Sequence, residues 1–75
     1  MIKFSDILPL LEMDEDVYIY ATGENRYLIF DGVLRNLPVE GYLHVKDLPV
    51  THMYPSVNEG EPVTTCMNII VKGRK

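Results

Sequence analysis

Val17-Tyr18-Ile19-Tyr20, then Thr22-Gly23-Glu24-Asn25, then Arg26-Tyr27-Leu28-Ile29-Phe30 is the stretch that decides the fold. β-Branched and aromatic residues dominate both flanks, and such side chains suit a pleated, half-buried surface. The central Gly-Glu-Asn reads as a tight turn, so residues 16–31 are expected to form a β-hairpin. Alternation along the first strand points Val17 and Ile19 at the core and Tyr18 and Tyr20 the other way.

Upstream the period changes. Ile7, Leu10 and Leu11 carry the i, i+3, i+4 stripe of a helix with one buried face. Ser5 is a suitable N-cap, Asp6 suits the positive end of the helix dipole, and Phe4 is placed to staple onto the apolar face. Pro9 lacks the N–H that the first intrahelical bond would use. A short turn of 3₁₀ character is therefore expected, ending near Glu12 or Met13. Asp14-Glu15-Asp16 then opposes the helix dipole and closes the helix.

Downstream, Asp31-Gly32 signals a turn. Val33-Leu34-Arg35, Tyr42-Leu43-His44-Val45-Lys46 and Val50-Thr51-His52-Met53-Tyr54 read as short strands, and residues 55–62 as a loop. Val63-Thr64-Thr65-Cys66-Met67-Asn68-Ile69-Ile70-Val71 is the longest strand, with Met67, Ile69 and Val71 sharing one face. The sum is a single α+β domain over residues 1–75. A short N-terminal helix packs on a small antiparallel sheet of four to six strands, or plugs a half-open barrel. The connections look too short for parallel crossovers.

Composition narrows the function. Seventy-five residues, 47% of them apolar, make one small domain rather than a disordered tail. With Cys66 the only cysteine, no intrachain disulfide can form, and a reducing cytosol is the expected setting. Met1-Ile2-Lys3-Phe4-Ser5-Asp6 lacks the apolar core of a signal peptide, and no apolar run is long enough to span a bilayer. A cytoplasmic protein without membrane attachment is expected. A net charge of −4 argues mildly against nonspecific nucleic-acid binding. The Lys72-Gly73-Arg74-Lys75 tail reads as a solvated, frayed terminus.

The first third of the chain resembles a broad group of short phage and prophage proteins of Firmicutes and gut bacteria. The resemblance is carried by Ser5-Asp6-Ile7-Leu8-Pro9-Leu10-Leu11, by Asp14-Glu15-Asp16 and by the Val17-Tyr18-Ile19 strand. The group also tends to end in a short apolar strand, matched by Met67-Asn68-Ile69-Ile70-Val71. The resemblance implies a mobile-element or bacterial origin and a helix-plus-sheet fold. It implies no activity and transfers no site residue. Residues 50–62 depart from the group's compact pattern.

No catalytic, cofactor or metal site is expected. His44, His52 and Cys66 with Asp31 or Asp47 lack the close ligand pairs of a zinc site. Cys66 reads as a small buried hydrophobe rather than a nucleophile. Glu12 with Asp14-Glu15-Asp16 could mimic nucleic-acid phosphates or pair carboxylates for glycosidic chemistry. A helix-to-strand boundary accounts for it more simply.

The five tyrosines are the informative excess. Tyr18 and Tyr20, joined by Tyr27 if the hairpin register allows, form the candidate protein-binding face, because tyrosine is enriched at interfaces. Otherwise the Tyr42 and Tyr54 region covers that face. The leading expectation is a non-enzymatic accessory protein of a phage or mobile element. It would bind a protein partner, with a homodimer or inhibition of a host protein as variants. The alternative is a small nucleic-acid-binding barrel using Arg26, Arg35 and the Lys72–Lys75 end.

Overall fold

A lysine, Lys3, occupies the N-cap position of the first helix, α1 (Phe4–Ile7). In the computed structural model, which describes residues 1–23, 25–60 and 63–73 (of Asn58, the backbone), Ser5 lies inside that helix. The shift by two positions from the expected Ser5 cap has a packing cause. Phe4 is wholly buried and belongs to the core instead of stapling from outside. The orphan N–H groups of the first turn find backbone partners: Phe4 donates to the Leu48 carbonyl and Ser5 to the Lys46 carbonyl, both at 3.0 Å. A hydroxyl cap is thus unnecessary. Asp6 still contributes, its carboxylate accepting the Lys3 N–H at 2.9 Å.

The chain tightens at Pro9 into a 3₁₀ turn, Leu8–Leu10. The 3₁₀ geometry is the expected one. The helical segment stops before Glu12, because Leu11 is already extended at φ −97°, ψ 150°. The acidic link is held from the other side of the fold. Arg35 donates its N–H to the Met13 carbonyl at 2.8 Å and Leu34 to the Glu15 carbonyl at 2.9 Å.

The strands β1 (Asp16–Thr22) and β2 (Tyr27–Val33) form the antiparallel hairpin. The turn between them includes Glu24, which lies outside the described residues. Two of the expected strands are absent. Leu34–Asn36 is a 3₁₀ turn that drives Leu34 into the core, and Val39–Val45 is a helix, α2. Pro38 at its N-cap position needs no N–H there, and Glu40 in the first turn suits the dipole. The period-2 look of Tyr42 to Lys46 was coincidental, since Tyr42 and Val45 share a helix face at i, i+3. Strands β3 (Val50–Asn58) and β4 (Thr64–Lys72) make the second hairpin. β3 runs on through Pro55, into part of the expected loop. Glu61 and Pro62 of that loop lie outside the described residues.

The sheet order is β2-β1-β4-β3. β1 and β4 are parallel, in register from Val17 opposite Met67 to Thr22 opposite Lys72. The sheet is therefore mixed, not antiparallel throughout, and it is not closed into a barrel. The parallel pair is possible because β2, α2 and β3 together form the crossover, far more chain than the dozen residues such a connection needs.

Both helices cover one face. Phe4, Ile7, Leu34, Val45 and Leu48 pack on Val17, Ile19, Ala21, Ile69 and Val71 in one buried cluster. Tyr42 meets Phe4 edge-on, with ring centroids 6.4 Å apart. The chain start is stitched to the sheet by a Lys3–Pro49 bridge and by the Val50 N–H donating to the Ile2 carbonyl at 2.8 Å. At the far end Gly73 donates to the Thr22 carbonyl. A Cβ there would sit 2.7 Å from that oxygen, so glycine permits the approach.

Candidate protein-binding face

The side of the sheet turned away from the helices is built by strand alternation. Val17, Ile19 and Ala21 are consumed by the core, which leaves Tyr18 and Tyr20 of β1 on the other side. Strand pairing then lays out the rest, because residues opposite one another point to the same side. Tyr18 lies beside Asn68, which lies beside Tyr54. Tyr20 lies beside Ile70 and Leu28, and Ile70 beside His52. Cys66 faces Ser56 in the next row.

The face is apolar and aromatic with a small polar centre. The Tyr18 and Tyr20 rings stack with centroids 6.4 Å apart. The Arg26 guanidinium sits 4.6 Å from the centre of the Tyr20 ring, inside cation–π range. Tyr54 is 44% exposed and Leu28 46% exposed. Between Tyr18 and Tyr54, the buried Asn68 side chain donates to Ser56 Oγ at 2.8 Å. Ser56 Oγ is also 3.0 Å from Cys66 Sγ. The amide is thus satisfied beneath the aromatic rings, as a buried polar group must be.

Of the three tyrosines read from sequence as one face, two meet. Tyr27 does not join them. The β1–β2 ladder slips between Ile19 and Tyr20, and Ile29 is the extra residue of a bulge. An unbroken ladder would set Tyr27 opposite Thr22, on the tyrosine side. The bulge sets it opposite Ala21, on the helix side. Tyr54 takes its place, and alternation on β3 alone could not show this without the strand order. Tyr42 packs on Phe4 in the helical layer, so the Tyr42 and Tyr54 region does not cover the face; Tyr54 is part of it.

Both sheet edges carry interruptions. β2 has the Ile29 bulge and Gly32 at φ 131°. β3 has a bulge at Thr51 and, at Pro55, a residue with no N–H. Such features discourage strand addition, which makes the face and not the edges the available surface.

The other candidates disperse. His44 sits in α2 on the helical layer, whereas His52 lies on β3 with Nδ1 3.3 Å from Thr51 Oγ1. Among the described residues, no three His, Cys, Asp or Glu side chains converge. Asp16 and Asp31 share an open depression of about 300 Å³ with Tyr18, while Asp14 remains in the exposed link. On the helical layer an apolar groove of about 220 Å³ runs between Leu8, Met13, Leu37, Val39 and Tyr42. Arg35 lines that groove, on the layer opposite Arg26. Arg74 and Lys75 lie outside the described residues. No helix among the described residues is long and apolar enough to cross a membrane. No family model, curated protein or solved structure matches the chain.

Proposed function

We propose that this chain is a non-enzymatic accessory protein, of the phage or mobile-element kind, that works by binding a protein through the open face of its sheet. The observation that carries the reading is the placement of Tyr18, Tyr20 and Tyr54 on a sheet face over which neither helix packs. Large amphipathic rings on a rigid strand framework lose little entropy on binding and contribute much contact area. The interrupted edges favour docking on the face over strand addition.

The test is a pull-down from a bacterial lysate, run side by side with wild type and with a Tyr18→Lys/Tyr54→Lys double variant whose fold is checked by circular dichroism. A protein retained by wild type and lost from the variant supports the reading. An identical set of proteins on both, or none on wild type, counts against it.

A further inference from the structure

From the same face, and resting on the reading just given, we infer that the occupant is a second copy of this chain, with the two open sheet faces packed against each other in a helix–sheet–sheet–helix sandwich. Three observations lead there. The first is charge. The chain carries a net −4, yet the face is balanced, with Asp16 and Asp31 set against Arg26 and Lys72. Among the other described acids, Asp6, Glu12, Asp14, Glu15, Glu40 and Asp47 lie on the helical layer or its links, and Glu59 lies in the β3–β4 connection at the end of the sheet. Two copies would therefore meet where their like charge is neutralised, and no strong field on the face selects an oppositely charged partner.

The second is shape. A twisted four-stranded sheet is complemented by another sheet of the same hand, crossing at roughly −30° and about 10 Å away. A second copy always supplies that surface, and a two-fold axis makes the contact self-complementary.

The third is area. Four strands about 4.8 Å apart and seven residues long give a rectangle of about 450 Å². Two ridged faces of that size reach the neighbourhood of the roughly 1,000 Å² that a specific interface needs. An interface at the small end of the range fits a weak, reversible dimer rather than an obligate one.

Sedimentation equilibrium from about 1 to about 500 µM, a span that brackets micromolar affinity, tests the inference. Wild type is compared with Tyr18→Lys, with Tyr54→Lys, and with Leu43→Lys on exposed α2 of the opposite layer. The expected result is a monomer–dimer equilibrium for wild type and Leu43→Lys, weakened at least about tenfold in both tyrosine variants. Tyr54→Lys, on an exposed edge-strand position, keeps the test sound if Tyr18→Lys does not fold. Wild type that stays monomeric throughout overturns the dimer. So does dimerisation that survives both tyrosine variants, or that is lost only in Leu43→Lys. The pull-down comparison needs no self-association, so a monomeric wild type that still retains a face-dependent protein overturns the dimer and leaves the protein-binding reading standing.

Discussion

Asn68 of β4 reaches across the β3–β4 ladder to place its amide 2.8 Å from Ser56 Oγ, with Tyr18 beside it on one strand and Tyr54 on the other. This contact is the polar floor of the open face. Asn68 is 7% exposed, so its partner cannot be replaced freely by water.

Asn68→Ala should therefore lower stability by about 1–2 kcal/mol, the range for losing a buried hydrogen bond and part of the packing around it. Asn68→Asp should cost more, because a carboxylate at that depth has a hydroxyl but no cation nearby. Urea titration of the two variants against wild type reads both. A midpoint unmoved by Asn68→Asp would mean the site is wetter than its burial indicates.

The core makes a larger demand. Ile19 is fully buried between the helices and the centre of the sheet. Ile19→Ala should cost about 2–5 kcal/mol, the usual range for a large-to-small change where neighbours cannot collapse. In a domain this small that loss should leave a large unfolded fraction at room temperature, read by circular dichroism during thermal melting.

Gly32 tests the bulged edge strand. At φ 131° it holds a backbone conformation that a side chain resists, although the space itself is open, the nearest atom to an added Cβ being the Phe30 ring at 3.6 Å. Gly32→Ala should lose about 1–3 kcal/mol through backbone strain alone. Denaturant unfolding with an unchanged slope and a lower midpoint is the expected signature.

Pro55 sits in the middle of an edge strand and cannot donate to an incoming strand. Pro55→Val should leave the fold intact and raise the tendency to associate edge to edge, seen as light scattering that grows with concentration. A variant as well behaved as wild type would show that the Thr51 bulge protects the edge unaided.

Single-stranded DNA titrated at about 50 mM salt, where phosphate contacts are strong, should give no saturable binding. Arg26 is engaged on Tyr20 and Arg35 lies on the opposite layer. Binding that weakens steeply with salt would restore the nucleic-acid alternative.

Much of this arrangement could be read from residues. Val17 to Tyr20 announced the first strand and its two faces, Pro9 its 3₁₀ turn, and Met67, Ile69 and Val71 the last strand. What stayed hidden was non-local. The helix at Val39–Val45 was masked because Tyr42 to Lys46 alternates over a span too short to separate the two periods, although Pro38 and Glu40 were start signals. The parallel pairing of β1 with β4 depends on where the intervening chain returns, which no local pattern encodes. The face was half legible for the same reasons. Tyr18 and Tyr20 needed alternation alone, Tyr27 was lost to a one-residue bulge, and Tyr54 required the strand order.

That strand order also governs when the molecule can exist. β4 lies between β1 and β3, yet it leaves the ribosome after both of them. Until it emerges, β1 has one neighbouring strand and β3 has none, and Ile19 and Ala21 lack Ile69 and Val71 beside them to complete the face that the helices cover. Folding is therefore set to be cooperative, with its decisive contacts joining β1 to a strand about fifty residues later, Val17 to Met67. The nascent polypeptide passes through an interval in which its strands are open to chaperones and proteases.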